Sequence, residues 1–152
     1  MMKSILFAED SEDDVFLLQR ACRRAQLPNP LTFVRDGREA INHLSQAEVG
    51  PGCVVLDVKM PYRNGLEVLR WIRSQSKLSN SVVMMMTSSA QEQDIREAYQ
   101  LGADAYLVKP SGSDELDRLV NQLKTTILTA GRGDQAWQAL PCNRRPPAQP
   151  PK

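Results

Sequence analysis

The sequence predicts an α/β fold: one parallel five-stranded sheet with helices on both faces. Two observations predict it. Short apolar runs alternate five times with helical patterns along the chain. Two of those runs, Cys53–Leu56 and Val82–Met86, lack any polar alternation, as strands covered on both faces do. Strand–helix–strand units of this kind close by right-handed crossovers, which puts the helices on the faces of a parallel sheet.

The elements follow in order. Ile5–Ala8 is the first strand. A helix over Asp13–Ala25 places Val15, Leu18, Cys22 and Ala25 on one face. Its acids Glu12, Asp13 and Asp14 stand at the start and its bases Arg20, Arg23 and Arg24 near the end, which suits the helix dipole. Pro28 and Pro30 break the chain before a weaker strand, Leu31–Val34. Asp36 caps a helix running to about Gln46, with Ala40, Ile41 and Leu44 inward. The third strand leads through a loop to a helix over Gly65–Ser74, with Leu66, Leu69 and Ile72 inward. After the fourth strand, Ser88 and Ser89 with Gln91 and Glu92 offer capping-box signals for a helix that ends near Gly102. Ala105–Val108 is the fifth strand, and a last helix starts near Ser113 with Leu116, Leu119, Val120, Leu123 and Ile127 along it.

Composition excludes several classes. A net charge of +1 offers no basic excess for nucleic acid. No apolar run nears the ~20 residues of a membrane helix. The N-terminus carries no secretory pattern. Cys22, Cys53 and Cys142 form neither a metal pair nor a disulfide framework, and the first two read as small core residues. A reducing, cytoplasmic setting is expected. Met84, Met85 and Met86 read as core, Trp71 as a half-buried helix residue, and His43 as a helix residue without a partner.

The chemistry lies at the strand ends. Glu9 and Asp10 close the first strand, Asp57 the third, Thr87 the fourth and Lys109 the fifth. In an open parallel sheet these ends share one edge, where ligands bind. In the flavodoxin-like strand order 2-1-3-4-5, the first and third strands flank the switch point, so Glu9, Asp10 and Asp57 become neighbours. Clustered carboxylates repel, and a pocket of them must hold protons or a cation. Oxygen ligands alone favour a hard ion such as Mg²⁺. A carboxylate can attack phosphorus to give an aspartyl phosphate, with Lys109 and a metal neutralising charge and Thr87 donating a hydrogen bond.

At these residues the sequence resembles the receiver domain of two-component response regulators. The matching pieces are Glu9-Asp10, Asp57-x-x-Met60-Pro61-x-x-x-Gly65, Thr87-Ser88 and Tyr106-x-x-Lys109-Pro110, across residues 3–129. The runs Glu9-Asp10-Ser11-Glu12-Asp13-Asp14 and Ala98-Tyr99-x-Leu101-Gly102-Ala103 resemble the stand-alone regulators of phytochrome-type sensor kinases. The resemblance implies that Asp57 takes a phosphoryl from a kinase phosphohistidine. It implies Mg²⁺ held by Glu9, Asp10, Asp57 and the backbone carbonyl of Lys59. It also implies phosphoryl contacts from Thr87, Lys109 and the Ser88 amide, and a Tyr106 rotamer that changes with Thr87. Such a protein is a signalling phosphoacceptor, not an enzyme beyond Mg²⁺-dependent self-phosphorylation and autodephosphorylation.

Four further expectations follow. The Lys109–Pro110 peptide is expected cis, turning the lysine into the crevice. Residues 130–152 are expected to be a Pro-rich tail with no output domain, since five of the ten prolines fall between Pro141 and Pro151. In that tail, Ala136-Trp137-x-Ala139-Leu140 either packs back on the body or belongs to a disordered end, and Arg144–Pro150 has polyproline character. Output is expected through the face of the fourth helix, fifth strand and last helix, which is also the expected homodimer face, with a sensor histidine kinase as partner. The competing classes are weaker. A haloacid-dehalogenase-type phosphatase wants an acid where Lys59 stands, and no phosphate-binding glycine motif follows a strand. A receiver-like adaptor that acts by protein binding without phosphorylation is the remaining alternative.

Overall fold

A computed structural model describes residues 2–146. Five strands, β1 (Ile5–Ala8), β2 (Leu31–Val34), β3 (Cys53–Leu56), β4 (Val82–Thr87) and β5 (Ala105–Val108), alternate with five helices. These are α1 (Glu12–Arg24), α2 (Gly37–Gln46), α3 (Gly65–Arg73), α4 (Glu92–Gln100) and α5 (Ser113–Thr129). The sheet order is β2-β1-β3-β4-β5 and every pair is parallel. This is the predicted flavodoxin-like architecture.

Side-chain alternation along each strand divides the core into two clusters. Ile5, Phe7, Cys53, Val55, Val82, Met84, Met86, Ala105 and Leu107 pack with Leu18, Ala21 and Cys22 of α1 and with Leu119, Val120 and Leu123 of α5. Leu6, Ala8, Val54, Leu56, Val83, Met85 and Tyr106 pack with α2, α3 and α4 on the other face. The methionines of β4 are therefore core, as expected, and Trp71 packs half-buried against the second cluster. Cys22 and Cys53 are buried, and burial pushes the Cys22 thiol up to about 11.

Local sequence sets most helix starts. The Ser11, Asp36 and Asn64 side chains accept the amides of Asp14, Glu39 and Glu67. Helix α1 spans Glu12–Arg24, one residue earlier at each end than the expected Asp13–Ala25, because Ser11 takes the N-cap position. At α4 the expected capping box does not form. Gln91 holds the cap position without a side-chain bond, while Ser89 Oγ accepts the Gln91 amide and donates to Asp94 at 2.7 Å. Helix α4 closes at Gly102, whose φ of +100° is the left-handed conformation that glycine adopts freely.

The peptide before Pro110 is trans, as are all described peptides, which corrects the expectation of a cis bond. The trans form carries the X–Pro preference of ~0.5–1 kcal/mol, and Lys109 still reaches the crevice.

The chain after α5 does not run free. A short 3-10 helix at Gln135–Ala139 folds back, and Trp137 is fully buried in the α1–α5 cluster together with Leu140. Of the two readings open for this patch, packing on the body is the one observed. The polyproline stretch Arg144–Pro150 lies largely outside the described residues.

Candidate functional site

The crevice forms at the C-terminal ends of β1, β3, β4 and β5, where the sheet order places them side by side. Asp57 follows β3 directly and is buried, with its amide donating to the Ala8 carbonyl of β1 at 3.1 Å. Its chain position is held by a close approach. A Cβ on Gly65 would stand 2.1 Å from the Asp57 carbonyl oxygen, so only glycine lets α3 begin there. The Gly65 amide donates to Val58 O at 2.9 Å and closes the loop. The Lys59 amide donates to Asp57 Oδ1 at 3.2 Å, which sets the carboxylate orientation.

Lys109 ties the acids together. Its Nζ lies 2.7 Å from Glu9 Oε1, 2.8 Å from Asp14 Oδ2 and 2.8 Å from Asp57 Oδ2. Its amide donates to the Thr87 carbonyl at 2.8 Å, so the end of β4 carries the lysine. Glu9 and Asp57 are buried and Asp10 is exposed. Carboxylate oxygens of Glu9, Asp10 and Asp57 all lie within 4.8 Å of one another. Thr87 is fully buried beside them, and its Oγ1 accepts the Ser89 amide at 3.4 Å. Ser88 stands exposed at the turn after β4.

The protonation pattern follows from these contacts. Burial and the neighbouring Asp57 push the Glu9 carboxyl up to about 9, against the opposing pull of Lys109, so Glu9 carries a proton at neutral pH. The contact from Lys109 to Glu9 is then an ammonium hydrogen bond to a neutral acid. Burial also works to raise Asp57. Hydrogen bonds with Glu9 and Lys109 and the lysine charge outweigh it and hold Asp57 below the usual carboxylate range. For Lys109, burial works downward but its three carboxyl partners prevail and hold the ammonium above the ordinary lysine range. Asp57 is thus the ionised, buried carboxylate with a cation at hydrogen-bond distance.

The donor set fits a hard divalent cation. Three carboxyl groups converge on one point with no imidazole or thiolate among them.

Asp14 is the site residue that sequence reasoning missed. Its place among the acids of the first turn of α1 was fully accounted for by the helix dipole. The available signal was its spacing, one turn beyond Asp10. Tyr106, expected to move with Thr87, sits inward and is fully buried, its hydroxyl donating to the Ser89 carbonyl at 2.9 Å. His43 is exposed on α2 and takes no part.

Comparison with known proteins decides the family. The response regulator receiver domain model matches residues 5–124. The chain belongs to the response regulator receiver family. The probable methanogenesis regulatory protein FilR2 of Methanothrix harundinacea is 33% identical over 124 residues, covering 79% of this chain and 80% of that one. The response regulator Rcp1 of Synechocystis sp. is 30% identical over 128 residues, covering 81% and 87%. The crystal structure of its Mn²⁺-bound form superposes with a TM-score of 0.75 at 29% identity, covering 84% of this chain and 96% of that one. The phosphorylated cyanobacterial phytochrome response regulator RcpA superposes with a TM-score of 0.78 at 30% identity, covering 85% and 96%. This receiver is thus similar to phytochrome-associated regulators of the two-component class. Among the described residues no helix is long and apolar enough to cross a membrane.

Proposed function

We propose that this receiver is a phosphoryl acceptor for a sensor histidine kinase of the phytochrome type, acting in the cytoplasm. Asp57 Oδ attacks the phosphorus of a kinase phosphohistidine; the new O–P bond forms as the P–N bond breaks and the imidazole leaves. The observation that carries this reading is Asp57 itself: buried, ionised and 2.8 Å from the Lys109 ammonium at the centre of the acidic cluster. Lys109 offsets charge on the transferring group, the Thr87 hydroxyl hydrogen-bonds it, and the Ser88 amide is a further donor. Mg²⁺ is the fitting ion, held by Glu9, Asp10, Asp57 and the Lys59 carbonyl, and when bound it neutralises the phosphoryl oxygens. The similar regulator Rcp1 has a solved Mn²⁺-bound form, which supports a divalent ion as the ligand. The same residues serve self-phosphorylation by a small phosphate donor and hydrolysis of the aspartyl phosphate.

The receiver is taken to span residues 3–129, with 130–152 as its tail. Signalling runs through Thr87 and Tyr106 to the α4–β5–α5 face, which also serves a homodimer. The competing reading is a receiver-like adaptor that acts by protein binding without phosphorylation. A single experiment separates the two readings. The intact protein is incubated with acetyl phosphate and Mg²⁺ and weighed. One added phosphoryl on the wild type and none on Asp57→Asn is expected, whereas an unmodified wild type leaves the adaptor.

A further inference from the structure

In the sheet order, β5 is an edge strand, and an edge strand presents unpaired amides and carbonyls to any extended segment. Here that edge is already taken. The Val108 amide donates to the Cys142 carbonyl at 3.1 Å, and the Arg144 amide donates to the Tyr106 carbonyl at 2.7 Å. Leu107 and Asn143 form an antiparallel bridge. Where a longer strand would supply its next carbonyl, Asn143 Oδ1 accepts the Tyr106 amide at 3.0 Å instead. Two of these residues, Asn143 and Arg144, also reach α4. The Tyr99 hydroxyl donates to the Arg144 carbonyl at 2.9 Å and lies 3.2 Å from Asn143 Oδ1. Five residues before Cys142, Trp137 anchors the segment at zero exposure, its Nε1 donating to the Gly131 carbonyl at 2.9 Å. So a backbone bridge and a side-chain amide meet β5, and an aromatic anchor in the α1–α5 core holds the segment that carries them.

We propose that the β5 edge is a docking site for an extended peptide segment, held closed in this chain by its own residues 131–146. The segment the site fits has a large aromatic anchor followed, six residues on, by a carboxamide side chain that takes the Tyr106 amide. Any partner that pairs with β5 must displace the tail, so the tail sets access to the α4–β5–α5 face. The proposal goes beyond phosphorylation: it rests on backbone pairing and an apolar anchor, and it holds whether or not Asp57 is modified.

The test uses the full chain, without phosphoryl donor, and a fluorescein-labelled synthetic peptide of residues 131–146 as the probe. Its proteins are the wild type, Asn143→Ala, and the double variant Asn143→Ala/Arg144→Pro, which loses both the side-chain acceptor and the amide donor. A segment tethered in cis competes at an effective concentration of about millimolar. The wild type should therefore show no saturable binding by fluorescence anisotropy, and the double variant should bind the peptide. Amide exchange supplies the second readout. The Tyr106 amide should exchange about tenfold or more faster in Asn143→Ala than in the wild type, with β1 and β3 amides unchanged. Asn143→Ala alters one half-exposed residue and keeps this arm available if the double variant fails to fold. Equal peptide binding by wild type and double variant overturns the proposal, as does unchanged Tyr106 exchange in Asn143→Ala. Loss of acetyl phosphate labelling moves neither readout, so failure here is distinguishable from failure of the phosphoacceptor reading.

Discussion

Replacing Lys109 with alanine tests the electrostatics of the crevice most directly. The ammonium contacts three carboxyl groups, with side-chain exposures of 19% for Lys109, 8% for Asp57 and 4% for Glu9. Asp14, at 37%, is screened by water and its share is small, under about 1 kcal/mol. Removing the lysine strands a buried anion, and breaking a buried pair in this way costs about 3–5 kcal/mol. With a urea slope of ~2 kcal/mol/M, the unfolding midpoint falls by about 1.5–2.5 M. The cost must depend on pH with a definite sign. Asp57 is depressed in the folded protein, so its stabilisation is present above its unfolded value and is lost as pH falls through the folded one. Without Lys109 the folded Asp57 titrates higher, and protonation relieves the variant before it touches the wild type. The gap should therefore be widest near pH 9, where Glu9 also ionises, and should narrow steadily toward pH 4. Urea titrations in EDTA at pH 4, 7 and 9 measure it. A midpoint shift worth less than about 1 kcal/mol at pH 7, or one equal at all three pH values, would refute the claim that Lys109 compensates buried charge.

Four further outcomes are expected. Glu9 is raised to about 9 from 4.5, so the metal-free protein should lose stability as pH rises between those values, by up to about 1.4 kcal/mol per pH unit. Mg²⁺ should then bind more tightly at pH 9 than at pH 7 and release up to one proton; calorimetry in buffers of differing ionisation enthalpy counts it, and Asp10→Asn should remove most of the Mg²⁺-dependent rise in Tm. Gly65→Ala, which drives a Cβ against the Asp57 carbonyl, should cost about 1–3 kcal/mol or more and slow labelling by acetyl phosphate; a wild-type rate and Tm would show that the loop yields freely. Trp137→Ala should cost about 3–5 kcal/mol in urea unfolding although it lies outside the receiver match; a change below about 1 kcal/mol would mean that the tail packs only loosely.

Much of the site was legible because strand ends are local. Cys53–Leu56 and Val82–Met86 read as covered strands from composition alone, and the residue after each strand is then a crevice residue wherever the sheet is parallel. What escaped depends on partners remote in the chain. Ser89 matched a capping pattern, but its carbonyl accepts the Tyr106 hydroxyl and its own hydroxyl bonds Asp94, which keeps the chain extended until Gln91. Pro110 left the choice of isomer open, because the flexible lysine stem reaches Asp57 from a trans peptide. Trp137 stands in a segment as rich in glycine and proline as a disordered tail, and only the α1–α5 core cluster, assembled from residues remote in the chain, gives it a place to pack.

The order β2-β1-β3-β4-β5 places the two ends of one short strand in different business. Lys109, directly after β5, faces Asp57, while Tyr106, three residues earlier, has its amide and carbonyl held by the tail. At about 3.3 Å per residue these points are only about 10 Å apart. Between them the strand is a ladder: Thr87 pairs with Val108, and the Val108 amide bonds the Cys142 carbonyl. A change that moves Lys109 is therefore expected to bear on the tail through this ladder. Such coupling would run both ways, since coupling between two binding events is reciprocal. Whatever factor phosphorylation lends to tail release, tail release lends to phosphorylation. A chain whose tail is already displaced by a partner segment would then take phosphate with an altered equilibrium, and a chain whose labelling equilibrium is indifferent to Asn143→Ala would have its two ends uncoupled.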